Sequence, residues 1–345
     1  MRRRPGIGSA KFSVPILLMI LVVPAFGISC LTQSQMSAAQ REGLRQTAMT
    51  LAQDVQEGNT AAVQRLTIAA VASQFGPISS SIQGVSSSIQ HATLTVDQLY
   101  LLDATDLKSA QDTQFFCGLA LSTLTVVISI PNLPPGEYAL AVTHATGVKN
   151  PHALTTVLEN EGGSSGAPAW KLAGFFTRPM TMGGQDGVWF WKQARDYAAK
   201  QQNWNAYFYY QTAEFLLAPV DFLTSPNLQK LQREAQKVKP GGLPGTEPMS
   251  LAYNGQTYNV TNLHTGELAG QLDLIVSYQG TPNQDPVAAR AQVTAVMRGL
   301  LQQHPELRSA FHGLWVYART PGNQSPFALE LPMDQIENSA PHSGE

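Results

Sequence analysis

Apolar positions along this chain recur with different periods, and the order of those periods predicts the architecture. Over 38–57, Leu44, Ala48, Leu51 and Val55 share one helical face. Gly58-Asn59 stops that helix, and Asn59 or Thr60 can cap a second that carries Val63, Leu66, Ala70 and Val71 toward Phe75. Gly76-Pro77 breaks it. The run Ser79 to Gln83 then recurs, residue for residue, as Ser86 to Gln90. With Ile78, Ile82, Val85 and Ile89 it forms an apolar stripe, and Pro77 suits the first turn because its missing N–H is not needed there. Two heptads are too short for a coiled-coil seam, so this helix is expected to lie on a sheet with its serines outward.

From 93 to 177 the period becomes two. Leu94, Val96, Gln98, Tyr100 and Leu102 alternate; Leu124, Val126, Ile128 and Ile130 line a second strand; Tyr138, Leu140, Val142 and His144 share a face of a third. Leu154, Thr156 and Leu158 follow, then Trp170, Leu172, Gly174 and Phe176. The pattern predicts a meandering antiparallel sheet preceded by helices. Helical spacing returns over 186–238, with Asp186 as a cap and Asn203 opening a second helix. Lys239 to Gly245 is a linker by composition, placed at 239–250. Beyond it, Tyr258 to Val260 and Leu272 to Tyr278 read as strands with Gly266 near their turn. Asp285-Pro286 opens a helix whose buried face is Val293, Val296, Met297, Leu300 and Leu301, and Leu314 to Ala318 and Phe327 to Leu331 close the series. The expected class is therefore α+β: N-terminal helices on a curved antiparallel sheet (38–178), a helical hairpin (186–238), a small α+β domain (251–336) and a disordered tail (337–345).

Two stretches resemble known families. The helices and curved sheet of 38–178, closing on Ala169-Trp170-Lys171-Leu172-Ala173-Gly174-Phe175, resemble the cone-shaped ketosteroid-isomerase and nuclear-transport-factor superfamily. That resemblance implies a cone whose mouth can hold a small apolar ligand or support acid–base chemistry, or a protein that only binds or dimerises. No residue here takes the place of the family's catalytic acid or base. The spacing Phe190, Ala194, Tyr197, Ala206, Tyr210, Ala213 and Pro219 resembles a single tetratricopeptide repeat over 187–220. A plain helical hairpin packed on the preceding domain fits the same pattern. Trp189, Trp191, Trp204, Tyr207 and Tyr209 make it aromatic, mostly for core packing, and any exposed subset would mark a partner surface.

The first 29 residues change the picture most. Arg2, Arg3, Arg4 and Lys11 precede an uncharged apolar run, Phe12 to Ile28; Pro24 breaks it and Ala25-Phe26-Gly27 offers small residues for cleavage at Gly27. This reads as an export signal, and the run is short for a permanent anchor, with Pro15 and Pro24 inside. Of the 22 basic residues four sit in this leader, leaving 18 against 24 acidic ones, and no basic stripe suits nucleic acid. The two cysteines, Cys30 and Cys117, exclude a disulfide framework and a multi-cysteine zinc site. Cys30 can pair with Cys117 in an oxidising compartment, carry a lipid after the partly lipobox-like Gly27-Ile28-Ser29-Cys30, or sit unused at a frayed terminus.

Candidate chemistry is sparse. Gly162 to Gly166 matches G-x-S-x-G, but between two strands rather than on the strand-to-helix turn that exposes a nucleophile. Asp103, Asp106 and Asp112 lack the glycine turn of a calcium loop. The seven histidines show no metal spacing. His144 and His152 flank the Gly147 turn and can face each other, and His144 would line a cone if its strand face does. Asn259 and Asn323 head glycan-acceptor triplets. No cofactor and no metal are expected. The expected function is that of an exported bacterial envelope protein, periplasmic or anchored outside the cytoplasmic membrane through its leader or a lipid on Cys30. It binds or scaffolds a protein partner without catalysis. The alternative is an exported small-ligand carrier, or an isomerase- or hydrolase-type enzyme, using a cone pocket near His144.

Overall fold

The computed structural model describes residues 28–119, 123–162, 168–281, 285–320 and 326–336. The leader through Gly27 and the tail at 337–345 lie outside the described residues. The chain is α+β, as expected, with helices layered on antiparallel sheets. Its folded part begins earlier than the 38 expected. β1 (Ser29–Thr32) pairs antiparallel with β2 (Thr93–Asp103), so Ser29 and Cys30 lie in a sheet.

α1 (Ala38–Gln56) opens with a capping box in which the Ser37 hydroxyl accepts from the Gln40 N–H and the Gln40 side chain accepts from the Ser37 N–H. The second expected helix is split into α2 (Thr60–Arg65) and α3 (Ala69–Ala72). Its backbone is diverted: the Ile68 N–H donates to the Leu172 carbonyl at 3.0 Å, and the Leu172 N–H donates to the Leu66 carbonyl at 2.7 Å. α4 (Gly76–Ile89) buries Ile82, Val85 and Ile89, the stripe read from the serine repeat.

β2 (Thr93–Asp103) carries a bulge between Val96 and Gln98. One extra residue moves every later side chain to the other face. Leu94, Val96, Leu99 and Leu101 therefore pack under the helices, while Tyr100 and Leu102 face away; the single-face alternation expected for this strand does not hold. β3 (Gln111–Gly118) and β4 (Thr125–Leu133) then leave the large sheet as a hairpin of their own. β5 (Glu137–Thr146) returns to pair with β2, and β6 (His152–Asn160) and β7 (Trp170–Pro179) complete the order β1-β2-β5-β6-β7. The expected meander is thus two sheets. The reason lies in β5, whose Ala139 and Ala141 pack against the helices while Tyr138, Leu140 and Val142 are equally buried on the reverse. A sheet apolar on both faces needs two covering layers. A second bulge, opposite Val157 and Leu158, places Phe175 on the helix side and leaves Phe176 exposed.

A short pair, β8 (Thr181–Met182) and β9 (Gln185–Asp186), leads into α5 (Gly187–Ala199) and α6 (Asn203–Leu217). β10 (Leu223–Thr224) adds to β4, and α7 (Pro226–Val238) follows. β11 (Met249–Tyr253), β12 (Gln256–Leu268) and β13 (Gln271–Gln279) form a meander, α8 (Pro286–Gln303) crosses over, and β14 (Gly313–Arg319) lies parallel to β13 with β15 (Phe327–Pro332) at its edge. The β12–β13 turn is Ala269-Gly270, both at positive φ, with Gly266 close by within the end of β12. The hairpin α5–α6 shares one core with this C-terminal sheet rather than sitting on the preceding domain. Tyr209 donates to the Ala310 carbonyl at 2.6 Å, Asn205 donates to the Glu306 carbonyl at 2.8 Å, and Thr212 meets Thr265 at 2.7 Å.

Cys30 on β1 and Cys117 on β3 are disulfide-bonded, joining the edges of the two N-terminal sheets across 87 residues of sequence. Closing a loop of that length removes entropy from the unfolded chain worth about 4–5 kcal/mol in the chain-entropy model. Replacing both cysteines by alanine is expected to lower unfolding stability by about 2–5 kcal/mol, and dithiothreitol should reproduce the loss in the native protein. An unchanged urea midpoint would contradict the staple. At the α5–α6 contact, a Cβ on Gly187 would come within 2.6 Å of Leu217 Cγ and 3.1 Å of the Ala213 carbonyl oxygen. Gly187→Val is expected to cost about 1–3 kcal/mol by overpacking, measurable in the same denaturation experiment.

Candidate functional site

The residues singled out in the sequence are dispersed. His144 stands directly opposite Ala153 in the β5–β6 ladder, and His152 opposite Ala145. Successive strand residues alternate faces, so the two imidazoles project from opposite sides of the sheet and do not meet. The His152 ring lies 2.9 Å from the Asn150 carbonyl. The face that His144 shares with Tyr138, Leu140 and Val142 is packed against Tyr100, Phe115 and Ile128. Asp103 accepts from the Thr105 N–H at 3.0 Å and its hydroxyl at 2.6 Å, while Asp112 accepts from the Asn132 N–H at 2.9 Å. The first carboxylate closes a local turn and the second bridges β3 to β4, so the two act at separate places. Of the G-x-S-x-G run only Gly162 is described, and the Asn323 triplet also lies outside the described residues. Cys30 is the one singled-out residue that meets its expected partner, Cys117.

Among the described residues, three surface clefts stand out, and His144 lines none of the three. One of about 420 Å³ lies between β2, β4 and α7, walled by Tyr100, Val126, Leu223 and Leu228. One of about 280 Å³ lies beside Arg178, Phe215 and Asp221; Arg178 and Asp221 form an ion pair there. The third, of about 350 Å³, lies between the start of α5 and the 3₁₀ turn Pro305–Ser309 with its following residues. Trp189, Phe190, Tyr209 and Phe311 line it, with His312 at one side.

His312 belongs to a cluster that sequence reading missed. Asp273 of β13, His312 just before β14 and Glu330 of β15 bring one ligating atom each to within 4.8 Å of one another. Three separate segments supply them, so no local spacing could have revealed the group. The available signal was an acid inside the apolar strand Leu272 to Tyr278. Across the sheet Asp273 stands in one row with Gly266, Gly313 and Pro332, and the room left by the two glycines is taken by the Ile275 side chain over Gly266 and the Glu330 side chain over Gly313. A Cβ on Gly313 would lie 2.8 Å from Glu330 Oε1 and 3.3 Å from Asp273 Oδ1. Glycine there lets both carboxylates settle over bare backbone. The backbone of His312 is held on both sides: its N–H donates to the Leu272 carbonyl at 2.8 Å and its carbonyl accepts from the Met333 N–H at 2.8 Å.

Asp273 is 1% exposed, yet its Oδ2 has no hydrogen-bond partner, and neither has the buried Glu330 Oε1. His312 Nδ1 lies 3.3 Å from Asp273 Oδ1. Burial pushes the Asp273 carboxyl above its ordinary range, and the His312 interaction offsets only part of this. Glu330 is likewise raised, first by burial and then by the Asp273 charge, with His312 acting in the opposite sense. Raised carboxyls hold protons that the unfolded chain has released. Their contribution to stability is therefore complete below about pH 4 and is lost as pH rises through the folded values. In metal-free buffer the wild type is expected to lose more stability between pH 4.5 and 7 than Asp273→Asn does. Urea unfolding at both pH values measures this, and parallel curves for the two proteins would contradict it.

With the geometry of the clefts and of this cluster in hand, comparison with family models, curated proteins and solved structures finds no match to the chain.

Proposed function

We propose that the protein works outside the cytosol of a bacterium, in the cell envelope, as a non-enzymatic binding or scaffolding protein for another envelope protein. The observation that carries this reading is the Cys30–Cys117 bond, formed by the first cysteine behind the apolar leader and by the other cysteine of the chain. Such a bond persists in an oxidising compartment and is rare in the cytosol. A sulfur held in it is not available for a lipid thioether, which favours cleavage near Gly27 over a lipid anchor. Among the described residues no helix is long and apolar enough to cross a membrane.

The binding half of the reading is supported by exposed aromatic surface. Phe116 on the edge strand β3 is 64% exposed, Phe176 42% and Phe215 40%. Aromatic side chains at such positions are the usual anchors of protein interfaces. Fractionation of the native host combined with alkylation of free thiols tests the proposal. The protein is expected in the envelope fraction with Cys30 and Cys117 protected until reduction. A photo-crosslinking side chain in place of Phe116 should give one discrete adduct there. Cytosolic protein with both thiols reactive would overturn the location, and an envelope protein without an adduct at any of the three phenylalanine positions would overturn the partner.

A further inference from the structure

We propose that Asp273, His312 and Glu330 form a binding site for one divalent transition-metal ion of the zinc type. The inference is independent of where the protein resides. Two observations point to a cation. Asp273 is buried with Oδ2 unpartnered, and Glu330 Oε1, also buried and unpartnered, lies over Gly313 where the other Asp273 oxygen, Oδ1, approaches as well. Leaving two acceptor oxygens of carboxylates without partners costs several kcal/mol unless a positive charge or a proton fills the gap.

The donor set decides which cation. Zinc takes imidazole nitrogen and carboxylate oxygen at about 2.0–2.2 Å, so neighbouring ligands of a tetrahedral site stand roughly 3.3–3.5 Å apart. His312 Nδ1 and Asp273 Oδ1 are separated by 3.3 Å, which is long for a charge-assisted hydrogen bond and matches that edge. Magnesium and calcium need six or more oxygens, and this cluster offers three protein donors including a nitrogen. The His312 side chain is 43% exposed and borders the aromatic cleft lined by Trp189, Tyr209 and Phe311, so the cluster has an accessible side on which a fourth ligand could approach. An open fourth position beside an apolar cleft suits a ligand that presents a carboxylate or another anionic donor to the metal and an apolar body to the rings.

The tag-free full chain, stripped with a chelator and dialysed, is titrated with zinc chloride by calorimetry and followed by thermal melting. The expected result is one zinc per chain, a raised melting temperature, and no comparable response to magnesium or calcium chloride. Asp273→Asn, His312→Ala and Glu330→Gln should each weaken the affinity at least tenfold. Both carboxyl substitutions remove a buried like charge and are expected to fold, and the His312 side chain is exposed enough for its truncation to be tolerated, so at least one variant reports on the site. Absence of saturable binding to the wild type would overturn the proposal. So would binding that survives unchanged in the His312→Ala and Asp273→Asn proteins.

Discussion

Helix α6 must be buried on nearly every side, and most of the molecule beyond β7 is arranged to meet that requirement. Nine of its fifteen residues are buried, among them Asn205 and Thr212. An aromatic helix of this kind offers a large apolar area, but each buried polar group on it needs a partner. α5 covers one face, with Phe190 and Tyr197 edge-on to Tyr209. α7 covers a second, where Glu234 accepts from Nε and Nη2 of the Arg195 guanidinium, from the Trp191 indole N–H and from the Tyr210 hydroxyl. The C-terminal unit covers the rest through Trp204 stacked on His304 and Tyr209 bonded to Ala310. Loss of any one layer would expose aromatic surface and leave donors unmet.

That requirement reaches the acidic cluster. The segment from Pro305 to His312 is pinned to α6 by Asn205 and Tyr209, and it delivers His312 to the end of β13. Ring contacts of Phe311 with Phe208 and Tyr209 fix the residue immediately before it. The His312 backbone is therefore held by hydrogen bonds on one side and, through Phe311, by aromatic packing on the other, which is the support a ligand needs to hold its geometry.

How much of this was legible depended on whether the signal was local. Helices with a continuous apolar stripe, such as 38–57 and the serine repeat with Ile82 and Ile89, could be read because a single period covers each from end to end. β2 could not be read in full, because one residue near Asp97 reverses the face of Leu99 through Leu102 and period-two reasoning assumes no such step. The same fault misplaced Phe176 relative to Phe175. The split at Leu66 to Ile68 is set by Leu172, more than a hundred residues away, and the large sheet's second covering layer is set by β3, β4 and β10 together. Chemistry followed the same rule. Cys30 and Cys117 could be considered as a pair because there were only two of them, whereas Asp273, His312 and Glu330 are common residues whose association exists only in the folded sheet.

Their retention needs a physical account, because a buried pair of carboxylates with unmet oxygens is a poor way to stabilise a sheet. Apolar residues of similar volume in the same row would remove the desolvation cost and the mutual repulsion. A glycine at 313 makes the arrangement worse for stability, since it gives up side-chain packing in order to let Glu330 and Asp273 approach. Two substitutions could relieve the whole conflict, yet the chain carries an acid on each of two strands, a glycine between them and a histidine at the rim. A proton shared by the carboxyls accounts for the acids, but it gives no role to a half-exposed imidazole 3.3 Å from Asp273 Oδ1. A metal ion uses all four features at once: two anionic ligands, a nitrogen ligand, and the space that only glycine leaves open.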